Sequence, residues 1–220
     1  MNKQTFLTLL ATFALLFSFT FSCHAKGKDK AKHVVFIGLD GWGAYSLPKA
    51  DMPNVKKLME DGAYTLKKRS ALPSSSAINW ASMFMGAGPE LHGYTEWGSK
   101  TPELPSRVLN KNGIFPTVFQ LLRDARPEAE IGCLYEWEGI KYLVDTLSLS
   151  YHYHVADCNK TPKELGNMAS SYIKEKHPAL VAICYDGPDH TGHTAGHDTP
   201  EYYEKLKELD VYAVSYTHLT

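Results

Sequence analysis

LVAICYDGPDHTGH, residues 180–193, is an apolar run followed at once by a segment with two carboxylates and two imidazoles. The short, uninterrupted run predicts a buried strand over residues 179–185. Asp189 and His193 lie four residues apart with Gly192 between them. A strand that ends and turns here can aim a carboxylate oxygen and an imidazole nitrogen at one divalent cation. The alternative is a solvated acidic and histidine-rich turn, and this segment alone does not choose between the two.

VVFIGLDG, residues 34–41, predicts another buried parallel strand, which ends at Asp40. Asp40 is either a metal ligand or the Asp of a turn-forming Asp-Gly pair. Further strands are predicted over residues 64–70 and 130–136, and helices over residues 53–62, 76–87, 116–125 and 161–176. This alternation predicts an α/β fold with an open, mainly parallel sheet covered on both faces. Ligands of such sheets gather beyond the carboxyl ends of the strands, where we expect Asp40, Asp186 and Asp189.

The composition bounds the class of protein. A formal charge of −1 and a pI of about 6.8 leave no basic excess, so a nucleic-acid polymer is not expected as a partner. With 220 residues, of which 44% are apolar, the chain is long enough for one sizeable core and too short to require two. We therefore expect one domain.

The first 25 residues read as a signal peptide: Lys3 is followed by an apolar segment from Thr5 to Phe21, and small residues precede a cleavage site after Ala25. Residues 26–32 form a charged tether. The apolar segment is shorter than a membrane-spanning helix requires, so we expect an exported protein, periplasmic or secreted, without a transmembrane span. A lipoprotein acylated at Cys23 is the alternative, although the residues before Cys23 make a poor lipobox.

Cys133, Cys158 and Cys184 remain after cleavage, an odd number without paired spacing. This pattern does not indicate a disulfide framework. Cys133 and Cys184 lie in predicted strands, where they are expected to be small buried apolar residues.

Three serines, Ser74, Ser75 and Ser76, precede the helix predicted over residues 76–87. A serine at this place is either an N-cap or a nucleophile for an ester, and residue type alone favours the cap. Serine, strand-end carboxylates and the Asp-His pair together suggest metal-assisted hydrolysis of a phosphoester, which needs an oxygen nucleophile and positive charge around the phosphoryl group. A helix that begins beside the serine also points backbone N–H groups at an incoming anion.

Three pieces, HVVFIGLDG, LPSSSAINWASMFMGAGPELHGYTEWGS and the late PDHTGH, resemble the alkaline phosphatase superfamily, specifically its type I phosphodiesterase and nucleotide pyrophosphatase family. The similarity runs from about His33 to Ala213. It implies a three-layer α/β sandwich and hydrolysis of small phosphoesters with two divalent metal ions, expected to be zinc. The implied ligands are Asp40 and Ser76 for one zinc and Asp189 and His193 for the other.

The resemblance also assigns roles around the metals. Ser76 is the implied nucleophile, because the family's motif Asn follows three residues later, at Asn79. His92 is expected to be structural and His197 to be a loop residue near the rim. Asp186 could hold a metal ligand in orientation.

The sequence departs from the family in two places. Some members place a phosphoryl-contacting Asn where this chain has residues 94–97, Tyr-Thr-Glu-Trp. The family also completes its metal site with an Asp-His-Gly motif and a later His, neither of which follows His193 here. Residues 33–213 are thus expected to be the N-terminal part of a catalytic domain, C-terminally incomplete and weakly active or inactive by itself.

The last seven residues, 214–220, depart from the family and can be encoded by a sequence resembling the adapter of transposon-based sequencing libraries. They are interpreted as adapter-encoded, and His218 is not expected to replace a missing ligand.

The leading functional hypothesis is an exported, metal-dependent phosphodiesterase that acts on nucleotide-like diesters through Ser76. A phosphomonoesterase of the same superfamily is one alternative, and a non-catalytic binding protein that has lost its metals is another. A sulfatase is disfavoured, because the loop around the serines lacks the Arg that formylglycine formation requires.

Overall fold

A computed structural model of the chain describes residues 31–156 and 162–216. The predicted signal peptide, most of the tether, Cys158 and residues 217–220 lie outside the described residues. Among the described residues, no helix has the length and apolar character needed to cross a bilayer.

The centre of the fold is a parallel sheet. Its strands are β1 Val34–Leu39, β2 Ile131–Tyr135, β3 Tyr151–His154 and β4 Leu180–Tyr185. Their order is β1-β4-β2-β3, and Cys184 lies opposite Gly38 of β1. Every residue of β4 is buried, because this strand has a neighbour on each edge and its apolar side chains cover both faces.

Helices cover the sheet on both sides. Their bounds are α1 Pro53–Asp61, α2 Ser76–Met85, α3 Pro89–His92, α4 Val118–Ala125, α5 Pro162–Lys176, α6 Gly187–Ala195 and α7 Pro200–Ser215. Alternate residues of the strands point to opposite faces. Cys133 and Cys184 pack with α2 and α4 on one face, and Val181 and Ile183 pack with α5 and α7 on the other. The predicted α/β three-layer architecture with a parallel sheet is confirmed.

Two local predictions were wrong. Residues 64–70 do not form a strand: every one of them is exposed, and they run as bends and irregular chain. The three basic residues 67–69 suit solvent, and β1 pairs only with β4 among the described strands, so the segment finds no ladder to join. The segment after β4 is not a turn but the helix α6, which begins with Pro188 in its first turn.

A buried carboxylate ties the ends of two helices together. Asp210 on α7 is 2% exposed and accepts hydrogen bonds from Asn54 N at 3.0 Å and Val55 N at 2.8 Å. These amides belong to the first turn of α1, where backbone N–H groups have no acceptor within their own helix. Asp210 therefore caps α1 from a distant part of the chain.

Candidate active-site cleft

Three acidic residues directly follow three neighbouring strands. Asp40 follows β1, Asp186 follows β4 and Glu136 follows β2. Because β4 lies between β1 and β2, Asp186 lies between the other two strand ends. The carboxyl edge of the sheet therefore concentrates negative charge, as expected for the binding edge of an open parallel sheet.

The Asp40 carboxylate is held in place from two directions. Its Oδ1 accepts a hydrogen bond from Gly41 N at 2.9 Å, and its Oδ2 accepts one from Trp80 Nε1, also at 2.9 Å. Its own backbone N–H donates to Tyr185 O at 2.8 Å. An ionised carboxylate has about four lone-pair positions, so both oxygens retain capacity to bind a further partner.

Asp189 and His193 lie on one face of α6. The i,i+4 spacing brings His193 Nε2 to 3.4 Å from Asp189 Oδ2, with the imidazole largely exposed and the carboxylate mostly buried. The turn after β1 packs directly on this helix. Gly41 has φ +68°, and a Cβ there would lie 2.5 Å from Asp189 Cα. Only glycine allows this approach, which brings the Asp40 turn beside Asp189.

The acidic groups perturb one another. Burial, followed by the charges of Asp40 and Asp189, raises the pKa of Asp186 to about 6, and His193 partly opposes this. Burial and the charge of Asp40 likewise raise the pKa of Asp189. Burial also raises the pKa of Glu136 to about 7, although it accepts hydrogen bonds from Asp186 N at 2.7 Å and Gly187 N at 3.3 Å. Crowded carboxylates of this kind favour a bound cation.

Ser76 is the first residue of α2 and lines a hollow of about 440 Å³ together with Asp186, Asp189 and His193. A wider cleft of about 990 Å³ adds Asp40 to this wall. The fold thus brings together all four residues that the sequence nominated as ligands or nucleophile.

Hydrogen bonds from the Asn79 side chain hold the loop before Ser76. Asn79 Oδ1 accepts from Ala71 N at 2.7 Å, and its Nδ2 donates to Ser75 O at 3.0 Å. Ser75 occupies the N-cap position, yet its side chain makes no cap hydrogen bond. Its Oγ is buried without a hydrogen-bond partner in the described part of the chain. The side-chain capping that residue type favours therefore does not occur at Ser75.

The cleft carries several side chains of the types that bind divalent cations. Within residues 31–156 and 162–216, no group of three or more Asp, Glu, His or Cys side chains is placed to enclose an ion. The donors present are nevertheless of the right type: hard carboxylate oxygens from Asp40 and Asp189, the Ser76 hydroxyl and the His193 imidazole. The carboxylates repel one another, since the charge of Asp40 contributes to the raised pKa of both Asp186 and Asp189, and a bound cation would relieve this repulsion. By chemical type, these side chains are suitable ligands for divalent cations.

His92 and His197 lie in different environments. His92 is fully buried, 3.1 Å from Ser82 Oγ, and accepts from Tyr94 N at 3.1 Å, and burial lowers its pKa. His197 is exposed and lines the wider cleft beside His193, at a ring-centroid distance of 6.4 Å.

Sequence reasoning missed three features of the cleft. Glu136 could have been found by the same signal as Asp40, an acidic residue directly after an apolar strand. Trp137 lies opposite the exposed Trp97 at the mouth, with ring centroids 6.4 Å apart. Tyr202, fully buried on α7, bonds to the loop after Asp40 and carries no local signal of that contact.

Solved structures with the same fold include enzymes of two kinds. Murine ectonucleotide pyrophosphatase/phosphodiesterase 5, as an inactive variant in complex with AMP, aligns with a TM-score of 0.66 at 17% identity over 86% of this chain and 52% of its own. Phosphonoacetate hydrolase from Sinorhizobium meliloti 1021, in complex with phosphonoformate, aligns at 0.64 and 19% identity over 86% of this chain and 54% of its own.

A protein of the alkaline phosphatase superfamily from Vibrio parahaemolyticus aligns at 0.59 and 14% identity over 87% of this chain and 50% of its own. The chain therefore spans about half the length of these structures, and at such identities the likeness concerns the fold. None of the curated proteins compared with the chain is significantly similar to it in sequence.

The family is shown by the sequence itself. The model of the family described as type I phosphodiesterase / nucleotide pyrophosphatase matches residues 34–213, which include β1, the serine loop and the α6 motif. With the fold and the cleft in agreement, the chain belongs to the type I phosphodiesterase / nucleotide pyrophosphatase family.

Proposed function

We propose that this protein hydrolyses small phosphodiesters, nucleotides or related compounds, with Ser76 as the nucleophile and two divalent metal ions, zinc by preference. The observation that carries the proposal is that Ser76, Asp40, Asp189 and His193 meet in one cleft at the carboxyl edge of the sheet, in a chain of this family. Asp40 and Ser76 would hold one ion, and Asp189 and His193 the other. Bound divalent cations supply positive charge to phosphoryl oxygens and lower the pKa of a coordinated hydroxyl.

The chain's own groups supply the remaining chemistry. Ser76 Oγ forms a bond to phosphorus as the bond to the leaving alcohol breaks, and water then cleaves the phosphoserine ester. The first turn of α2 directs backbone N–H groups at the phosphoryl oxygens. Trp80 keeps the Asp40 carboxylate oriented through its 2.9 Å hydrogen bond.

Location and activity of the whole protein belong to the same proposal. The signal-peptide pattern of residues 1–25 supports export to the periplasm or the medium. The chain covers 52% of the length of the murine structure, and the proposed activity is that of the whole protein.

The test compares release of 4-nitrophenol from bis(4-nitrophenyl) phosphate and from 4-nitrophenyl phosphate, with zinc binding followed by calorimetry. Faster diester hydrolysis, abolished in Ser76→Ala and retained in the matched variant Ser74→Ala, supports the proposal. A faster monoester reaction would assign the protein to the phosphomonoesterases. Zinc binding by the full-length protein without turnover of either ester would favour a binding protein, and full activity of Ser76→Ala would remove the assigned nucleophile.

A further inference from the structure

Tyr202 connects α7 to the loop after β1, 161 residues earlier in the sequence. Its side chain is fully buried. The hydroxyl donates to Gly41 O at 2.8 Å and accepts from Gly43 N at 3.1 Å. Gly41 and Gly43 enclose the turn that immediately follows Asp40, so one phenol spans this turn.

Neighbouring rings fix the position of the Tyr202 side chain, and burial keeps its hydroxyl protonated. Its ring packs against His197 at a centroid distance of 5.3 Å and stacks on Tyr45 at 6.5 Å, and both of these residues line the cleft. Burial raises the pKa of Tyr202 to about 12, so the hydroxyl keeps the proton that it donates to Gly41 O.

The position of the turn matters because it touches both halves of the site. Gly41 packs against the Asp189 backbone, and its N–H donates to Asp40 Oδ1 at 2.9 Å. Movement of the turn would displace the Asp40 carboxylate relative to Asp189. The bonds from Tyr202 hold the turn from the side of α7.

We propose that Tyr202 is a positioning residue that holds the turn after β1, and with it the Asp40 carboxylate, against α6. The consequence for metal binding rests on the proposed function, whereas the positioning itself does not. Groups outside the direct ligands that orient them typically change metal affinity or activity by 10- to 100-fold when removed. We expect Tyr202→Phe, which keeps the ring and loses both hydrogen bonds, to weaken zinc binding by about tenfold.

The matched control is Tyr172→Phe. Tyr172 is also buried, its hydroxyl donates to Glu130 Oε1 at 2.8 Å, and Glu130 precedes β2 at the opposite edge of the sheet. A purely structural loss of one buried hydroxyl should affect both variants alike.

Two readouts report on the turn without metal. The Trp80 indole N–H resonance, assigned with Trp80→Phe, reports on the bond to Asp40 Oδ2, and hydrogen exchange at Gly43 reports on the bond to Tyr202. In Tyr202→Phe we expect the Trp80 resonance to shift and Gly43 to exchange faster, with neither change in Tyr172→Phe.

Unchanged Trp80 and Gly43 signals in Tyr202→Phe would overturn the proposal. Rapid hydrogen exchange at the Gly43 amide of the wild-type chain would also overturn it, and that measurement requires no variant. If the turn is released but zinc affinity stays at the wild-type value while Asp40→Asn lowers it, the positioning of Asp40 for metal is overturned. If wild type and Asp40→Asn both bind no zinc, the proposed function fails, and the two metal-free signals still decide the positioning role.

Discussion

Glu136→Gln tests whether the buried carboxyl at the end of β2 is a cost to the fold. Glu136 is 5% exposed. It accepts hydrogen bonds from Asp186 N and Gly187 N, the residues that begin α6. Burial outweighs these two bonds and raises the pKa from 4.5 to about 7. A glutamine keeps the shape and an acceptor oxygen and removes the ionisation.

The magnitude follows from that pKa difference, which corresponds to about 3 kcal/mol between the two protonation states. The folded chain holds this proton up to about pH 7, whereas the unfolded chain releases it near pH 4.5. Stability therefore falls as the pH rises through this window, because the native state binds the extra proton. Between pH 5 and pH 8 the loss attributable to Glu136 is about 2.5 kcal/mol.

The assay is urea unfolding of the chain in EDTA at pH 5 and pH 8, followed by tryptophan fluorescence. Glu136→Gln should reduce the fall in unfolding free energy between the two pH values by about 2.5 kcal/mol. Some slope should remain, because the pKa of Asp186 is also raised, to about 6. The matched control is Glu138→Gln, an exposed carboxylate paired with Lys141, which should leave the slope unchanged. A variant with the wild-type slope would refute the reasoning.

Three further predictions concern the supports of the cleft. Asp210→Ala should lower the unfolding free energy by about 1–3 kcal/mol in urea titrations, because two backbone N–H groups of α1 lose their acceptor. The surface substitution Asp51→Ala should change the unfolding free energy little. Ile183→Ala at the centre of β4 should cost about 2–5 kcal/mol in the same titrations, and a smaller loss would show that the core relaxes around it. Gly41→Ala should lower zinc affinity in calorimetry, since its Cβ would collide with the Asp189 backbone at φ +68°; wild-type affinity would contradict this packing.

Much of the cleft could be read from local sequence. Asp40 and Asp186 end short apolar runs, and the ends of parallel strands share one edge of a sheet, so their proximity follows from strand assignment alone. The family resemblance implies Ser76 through the position of the motif Asn at Asn79, and Ser76 lines the cleft. Its role as nucleophile stays a prediction.

Local pattern was a poor guide where the outcome depended on neighbours. Residues 64–70 have a plausible strand composition but no ladder to join in the described fold. The sequence predicts a turn after β4, yet the segment forms a helix and places Asp189 and His193 on one face.

The sequence by itself determined the layer architecture and the family, because apolar periodicity and short motifs act over a few residues, and the family resemblance then implied the four residues proposed for the site. Only the tertiary structure decided how those residues are held. Glu136 reaches the start of α6 across 50 residues, and Tyr202 reaches the Asp40 turn across 161. Such bonds depend on how strands and helices pack, and no local preference of the chain encodes them.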